Sequence, residues 1–88
     1  MFYHPNAYIP SIINKSPGLE KRTKILNILA ERRINLKNLQ QKTGIKTSTL
    51  NYHLKLLEKH GIVRRRRIGK GVVIEELGMG QRTIKEYF

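Results

Sequence analysis

The chain has 88 residues, with 18 Lys and Arg set against six acidic side chains, all glutamate, for a formal net charge of +12. This length supports one small core, and 39% hydrophobic residues is enough to build it rather than to leave a disordered basic tail. With no cysteine, a disulfide framework, a thiolate nucleophile and a cysteine-based zinc site are all excluded.

A positive excess of this size favours a polyanionic partner. No apolar run in the sequence approaches the roughly 20 residues of a membrane-spanning helix. Met1 to Pro5 lack the charged and apolar stretches of a secretory signal. The expectation is a cytoplasmic protein with no membrane partner.

Three segments are expected. Residues 1–16 form an N-terminal arm, 17–77 one folded domain, and 78–88 a C-terminal helical segment. All three prolines, Pro5, Pro10 and Pro17, fall within residues 1–17, a density that forbids a long helix there. Five of the six aromatic residues (Phe2, Tyr3, Tyr8, Tyr87 and Phe88) occupy the two ends of the chain. Two readings stay open: these ends pack on each other or on a second subunit, or they are partly ordered arms.

Ser16-Pro17 is a helix-start pair, a capping hydroxyl followed by a proline at the first helical position. It predicts a helix over Pro17–Arg33 with Ile25, Leu26, Ile28 and Leu29 as the apolar stripe and Lys21, Arg22, Lys24, Glu31 and Arg32 covering the rest. After a break at Ile34-Asn35-Leu36, a short helix is expected over Lys37–Thr43, closed by Gly44 as its C-cap. Capping hydroxyls in Lys46-Thr47-Ser48 then open a third helix. Its Leu50, Leu54 and Leu57 recur at helical spacing up to Gly61.

Beyond Gly61 the helical period is lost. The stretch Ile62 to Ile68, the loop Gly69-Lys70-Gly71 and the β-branched Val72-Val73-Ile74 read as a hairpin. A three-residue loop sets Ile68 opposite Val72, Arg66 opposite Ile74, Arg65 opposite Glu75 and Arg64 opposite Glu76. A two-residue Lys70-Gly71 turn, which shifts the register by one, stays open. In the tail, Leu77, Ile84, Tyr87 and Phe88 fall close to one helical face, although Gly78 and Gly80 weaken its start.

Two short helices around a glycine turn, followed by a basic ribbon, form a winged helix-turn-helix. The segment Leu36 to Val63, with its Ser48-Thr49-Leu50-Asn51-Tyr52-His53-Leu54 core, Leu57 and the exit Gly61-Ile62-Val63, resembles the small prokaryotic winged-helix transcription regulators of the ArsR and MarR type, the ArsR-like group most closely. The resemblance covers roughly residues 19–77. It implies an α+β, mainly α fold: a three-helix core, a two-stranded β-hairpin wing and a C-terminal helix. It also implies a homodimeric transcriptional regulator. Two departures stand out: Gln40 in place of the usual small alanine, and the absence of metal-sensing cysteines.

A helix about 10–12 Å across fits the major groove of B-DNA, where every base pair displays its own donors and acceptors. With Leu50, Leu54 and Leu57 facing inward, Thr47, Ser48, Asn51, Tyr52 and Lys55 project from the opposite side. They are the candidates for base recognition. Asn51 suits bidentate pairing with adenine, Thr47 and Ser48 suit base edges or phosphate, and Tyr52 suits a thymine methyl or a phosphate. Arg64, Arg65, Arg66, Arg67 and Lys70 on the wing, with Lys37 and Lys46 near helix starts, are the candidates for the DNA backbone or minor groove.

Catalysis is not expected. His53 and His60 are seven residues apart on one helix, too far to share a metal, and His53 reads as a packing residue. Glu75 and Glu76 are neighbours in a strand and point to opposite faces. The sequence therefore favours a sequence-specific double-stranded DNA-binding regulator, a homodimer reading a palindrome whose half-sites lie about 34 Å apart, with no cofactor, metal or small-molecule ligand. The alternatives are a non-specific architectural or ribosomal nucleic-acid-binding protein and a winged-helix protein-interaction module.

Overall fold

In the computed structural model, which describes residues 3–10 and 12–77, the chain forms a helix α1 (Ser16–Glu31), a short strand β1 (Ile34–Asn35), helices α2 (Leu36–Thr43) and α3 (Thr47–Lys59), and strands β2 (Val63–Ile68) and β3 (Gly71–Glu76). The three helices and the hairpin are those expected, and the differences have local causes. Ser16 is the first residue of α1 instead of its cap; Lys15 occupies the cap position without a side-chain hydrogen bond. Thr47 and Ser48 likewise lie inside α3, behind an uncapped Lys46.

α1 ends at Glu31, short of Arg33, because Arg32 turns into extended backbone (φ −171°) and delivers Ile34 to the sheet. Ile34 pairs with Ile74 and Asn35 with Val73, so the expected break is a third strand. Asn35 also caps α2, its Oδ1 accepting from the Asn38 N–H at 2.7 Å. Gly44 closes α2 in the left-handed region (φ 69°, ψ 12°), its N–H donating to the Gln40 carbonyl as a C-terminal glycine cap does.

The sheet is antiparallel with order β1-β3-β2. Its hairpin register sets Arg64 opposite Glu75, Arg65 opposite Ile74, Arg66 opposite Val73, Arg67 opposite Val72 and Ile68 opposite Gly71. Both turns considered from sequence are thereby corrected. The connection is the two residues Gly69-Lys70, with Gly69 at φ 61°. A glycine with positive φ in the leading position matches a type II′ turn, whose twist suits a hairpin.

The core gathers Ile25, Leu26 and Leu29 of α1, Leu39 of α2, Leu50, Leu54 and Leu57 of α3, and Ile34, Val63 and Ile74 of the sheet. Each fully buried aliphatic side chain contributes about 1.5–3 kcal/mol. The N-terminal segment also joins this core through Ala7 and Ile9, both wholly buried. It is pinned to α1 by the His4 N–H donating to Thr23 Oγ1 at 3.0 Å, and Tyr3 meets Tyr8 edge to face.

Arg22 corrects the reading of α1. Expected on the solvent face, it is 1% exposed. Its Nε donates to the Ala7 carbonyl at 2.6 Å, which turns the side chain inward beneath the N-terminal segment. The expected C-terminal helix, with Ile84, Tyr87 and Phe88, lies outside the described residues.

Candidate nucleic-acid interface

α3 is laid across the core by Leu50, Leu54 and Leu57, each fully buried. That orientation leaves Thr47, Ser48, Tyr52 and Lys55 exposed and Asn51 half-buried on the same outer side. Residues 48, 51, 52 and 55 follow the spacing of a single helical face. Tyr52 is 54% exposed and its ring leans edge-on against His53, the centroids 5.1 Å apart.

Lys37, Thr47 and Lys70 come together although they belong to α2, α3 and the wing turn. They line one cavity of about 490 Å³ together with the apolar Leu36, Leu50 and Val72 and with Asn35, Gln40 and Gly71. Lys46 is not part of it. It lines a second cavity of about 380 Å³ with Gln40, Gln41, Gly44 and Ile45, behind the turn between α2 and α3.

The wing arginines divide into two groups. Arg64 donates through Nε to Glu75 Oε1 at 2.8 Å and through Nη2 to the same oxygen, and Arg66 Nε approaches that oxygen at 3.4 Å. The Arg64 hydrogen bonds, with the charges of Arg64, Arg66 and Arg33, hold the Glu75 carboxyl below its ordinary pKa. Arg65 projects to the other face and donates through Nε and Nη2 to Glu58 of α3, at 3.2 and 2.9 Å. The expected pairs Arg65 with Glu75 and Arg64 with Glu76 are replaced, because the shorter turn moves each arginine by one position.

Arg67 and Lys70 are exposed at the end of the hairpin, and among the described residues neither has an ion-pair partner. The wing cations that lack an ion pair among the described residues are therefore at its tip, while Arg64 and Arg66 share the single charge of Glu75. Sequence spacing alone did not separate tip from base, because Glu58 sits seven residues and one secondary-structure element away from Arg65.

His53 is 5% exposed, and its Nδ1 faces Arg22 Nη1 at 3.2 Å. Guanidinium cannot accept a hydrogen bond, so this nitrogen is the acceptor and the imidazole is neutral. Burial, then the charges of Arg22 and Lys21, lowers its pKa from 6.5 to about 4. Among the described residues there is no group of three or more metal-binding side chains.

Comparison with solved structures places this arrangement among known folds. HlyU from Vibrio cholerae N16961 is similar with a TM-score of 0.66 and 24% identity, over 77% of this chain and 74% of that one. A structure described as a possible transcriptional regulator for arsenical resistance has a TM-score of 0.67 at 20% identity, over 78% and 72%. The homodimeric winged helix-turn-helix DNA-binding domain Mb0332 from Mycobacterium bovis, a possible ArsR-family regulator, has a TM-score of 0.63 at 24% identity, over 77% and 70%. At these identities the likeness is one of fold. No curated protein matches the sequence. The model of the family described as winged helix-turn-helix DNA-binding matches residues 19–64, more than half of the chain, and with three helices and an antiparallel hairpin in place the protein belongs to that family.

Proposed function

We propose that the protein is a sequence-specific, double-stranded DNA-binding transcriptional regulator of the ArsR-like group that acts as a homodimer in the cytoplasm. The observation that carries this reading is the convergence of Lys37, Thr47 and Lys70 on one cleft beside the exposed face of α3. In this reading residues 17–77 are the DNA-binding domain, with Ala7 and Ile9 of the N-terminal segment packed into its core, and α1 with the arm (1–16) or the segment 78–88 supplies the dimer contact. α3 enters the major groove, with Ser48, Asn51, Tyr52 and Lys55 toward base edges. Lys37, Thr47 and Lys70 take phosphates where the strand passes between α2 and the wing, and Arg67 reaches the adjacent backbone or minor groove.

Arg64, Arg65 and Arg66 contribute less, since each is held by a carboxylate of the protein itself. Lys46, behind the turn, is a weaker backbone contact. The homodimeric state of Mb0332 supports two copies here, and among the described residues no helix is long and apolar enough to cross a membrane.

The test is the salt dependence of duplex affinity. Arg67→Ala should reduce the slope of log K against log salt by about 0.9 and weaken all duplexes alike. Asn51→Ala should leave the slope unchanged and lower only the preference between sequences. An unchanged slope in the first and unchanged preference in the second would reject the proposed contacts.

A further inference from the structure

Arg22 is a cation with 1% exposure, and among the described residues none of the groups it bonds is a carboxylate. Its Nε donates to the Ala7 carbonyl at 2.6 Å, its Nη2 to Asn14 Oδ1 at 3.1 Å and its Nη1 to His53 Nδ1 at 3.2 Å. A buried guanidinium is expensive unless its donors are satisfied. Here the satisfaction comes from three separate pieces of chain: the N-terminal turn, the loop before α1, and α3. Asn14 is itself fixed, since its Oδ1 accepts from the Ile9 N–H at 2.8 Å and its Nδ2 donates to the Ile9 carbonyl at 2.9 Å. Gly18 leaves the room needed, because a Cβ there would stand 3.0 Å from Arg22 Nη1.

Two of the three acceptors, Ala7 and Asn14, precede the family-matched segment, which begins at residue 19. The third, His53, lies between the outward-facing Tyr52, on whose ring it packs, and the core residue Leu54. One side chain thus connects an N-terminal segment outside the shared pattern to the turn of α3 that carries Asn51 and Tyr52.

We propose that Arg22 is a positioning residue for DNA reading: through His53 it sets the placement of α3, and the N-terminal segment that holds Arg22 is part of the reading unit. The DNA clause of this inference rests on the proposed function; the positioning of α3 does not. Without the N-terminal acceptors the guanidinium loses two of the three bonds it makes among the described residues, and the constraint on His53 and Tyr52 goes with them.

The test combines amide hydrogen exchange of the free protein with DNA affinity, on variants confirmed as folded by circular dichroism. In Arg22→Met, protection of the amides from Asn51 to Leu57 should fall by about tenfold while that of α2 is retained, the loss expected when a buried hydrogen-bond partner goes. Affinity for a selected duplex should fall by a similar factor, with non-specific affinity and its salt slope unchanged. Asn14→Ala, which keeps Arg22, should show the same pattern more weakly and serves where Arg22→Met does not fold. His53→Gln supplies a carbonyl acceptor and should retain protection and preference, whereas His53→Leu should lose both.

Unchanged α3 protection in the folded variants, a uniform loss across all helices, or Gln and Leu behaving alike at residue 53 would overturn the proposal. If the wild-type protein shows no sequence preference, the function proposed above fails. Selective loss of α3 protection would then still establish the positioning.

Discussion

Arg22 and the wing arginines are the same residue type in opposite circumstances, and the contrast separates two uses of positive charge. Arg22 is enclosed and held by neutral acceptors on three segments. Its charge joins pieces of one chain. The wing arginines stand at the surface, where ion pairs are worth about 0–1 kcal/mol, and three of the four face a carboxylate of the protein. The net charge of +12 is thus a poor guide to the charge offered to a partner, which among the described wing residues is that of Arg67 and Lys70 together with the one charge that Glu75 leaves uncompensated on Arg64 and Arg66.

The largest expected effect lies on the buried side. The unfolded chain protonates His53 near 6.5 and the folded chain only near 4, so between these values the unfolded state binds more protons and stability falls on acidification. The contribution is complete above about pH 6.5 and is lost as the pH falls toward 4, about 3 kcal/mol at most by linkage. Urea unfolding at pH 7 and near pH 4 measures it, and His53→Gln should flatten the difference. An equally steep acid loss in His53→Gln would assign it to other groups.

On the wing the largest effect belongs to the tip. Arg67→Ala combined with Lys70→Ala should lower the salt slope by about 1.8 and weaken every duplex in parallel. Glu75→Gln should act in the opposite direction, because it removes the negative charge that compensates Arg64 and Arg66 at their shared oxygen. Non-specific affinity should rise and the slope steepen by up to about one phosphate contact; a fall in affinity would mean that Glu75 holds the two arginines in their binding geometry. Arg64→Ala should be the mildest, with little change in slope, and a loss matching that of Arg67→Ala would erase the distinction between tip and base.

How far the sequence revealed these features follows from the range of the interactions. α2 and α3 were readable because Leu50, Leu54 and Leu57 keep a helical period, and Gly44 and Gly61 interrupt it where the backbone takes positive φ. The expected outer side of α3 coincides with the one the structure exposes for the same reason. β1 was not readable, since two residues carry no periodicity, and Ile34 becomes a strand only by pairing with Ile74. The hairpin register depended on whether Gly71 belonged to the turn or to β3, and its place in the strand set Arg64 opposite Glu75 and Arg65 opposite Ile74. Arg22 was misread because its surroundings are set by Ala7, Asn14 and His53, up to 31 positions away.

In the proposed mechanism α3 reads base sequence while the wing tip supplies phosphate contacts. The most direct test is selection from a random duplex library by the purified protein at about 150 mM salt, which suppresses weak phosphate-only binding, followed by sequencing of the bound fraction. The expected result is a recurrent inverted repeat, bound by two copies of the chain. Measurable binding with an unenriched pool would contradict it and make the protein a non-specific nucleic-acid binder.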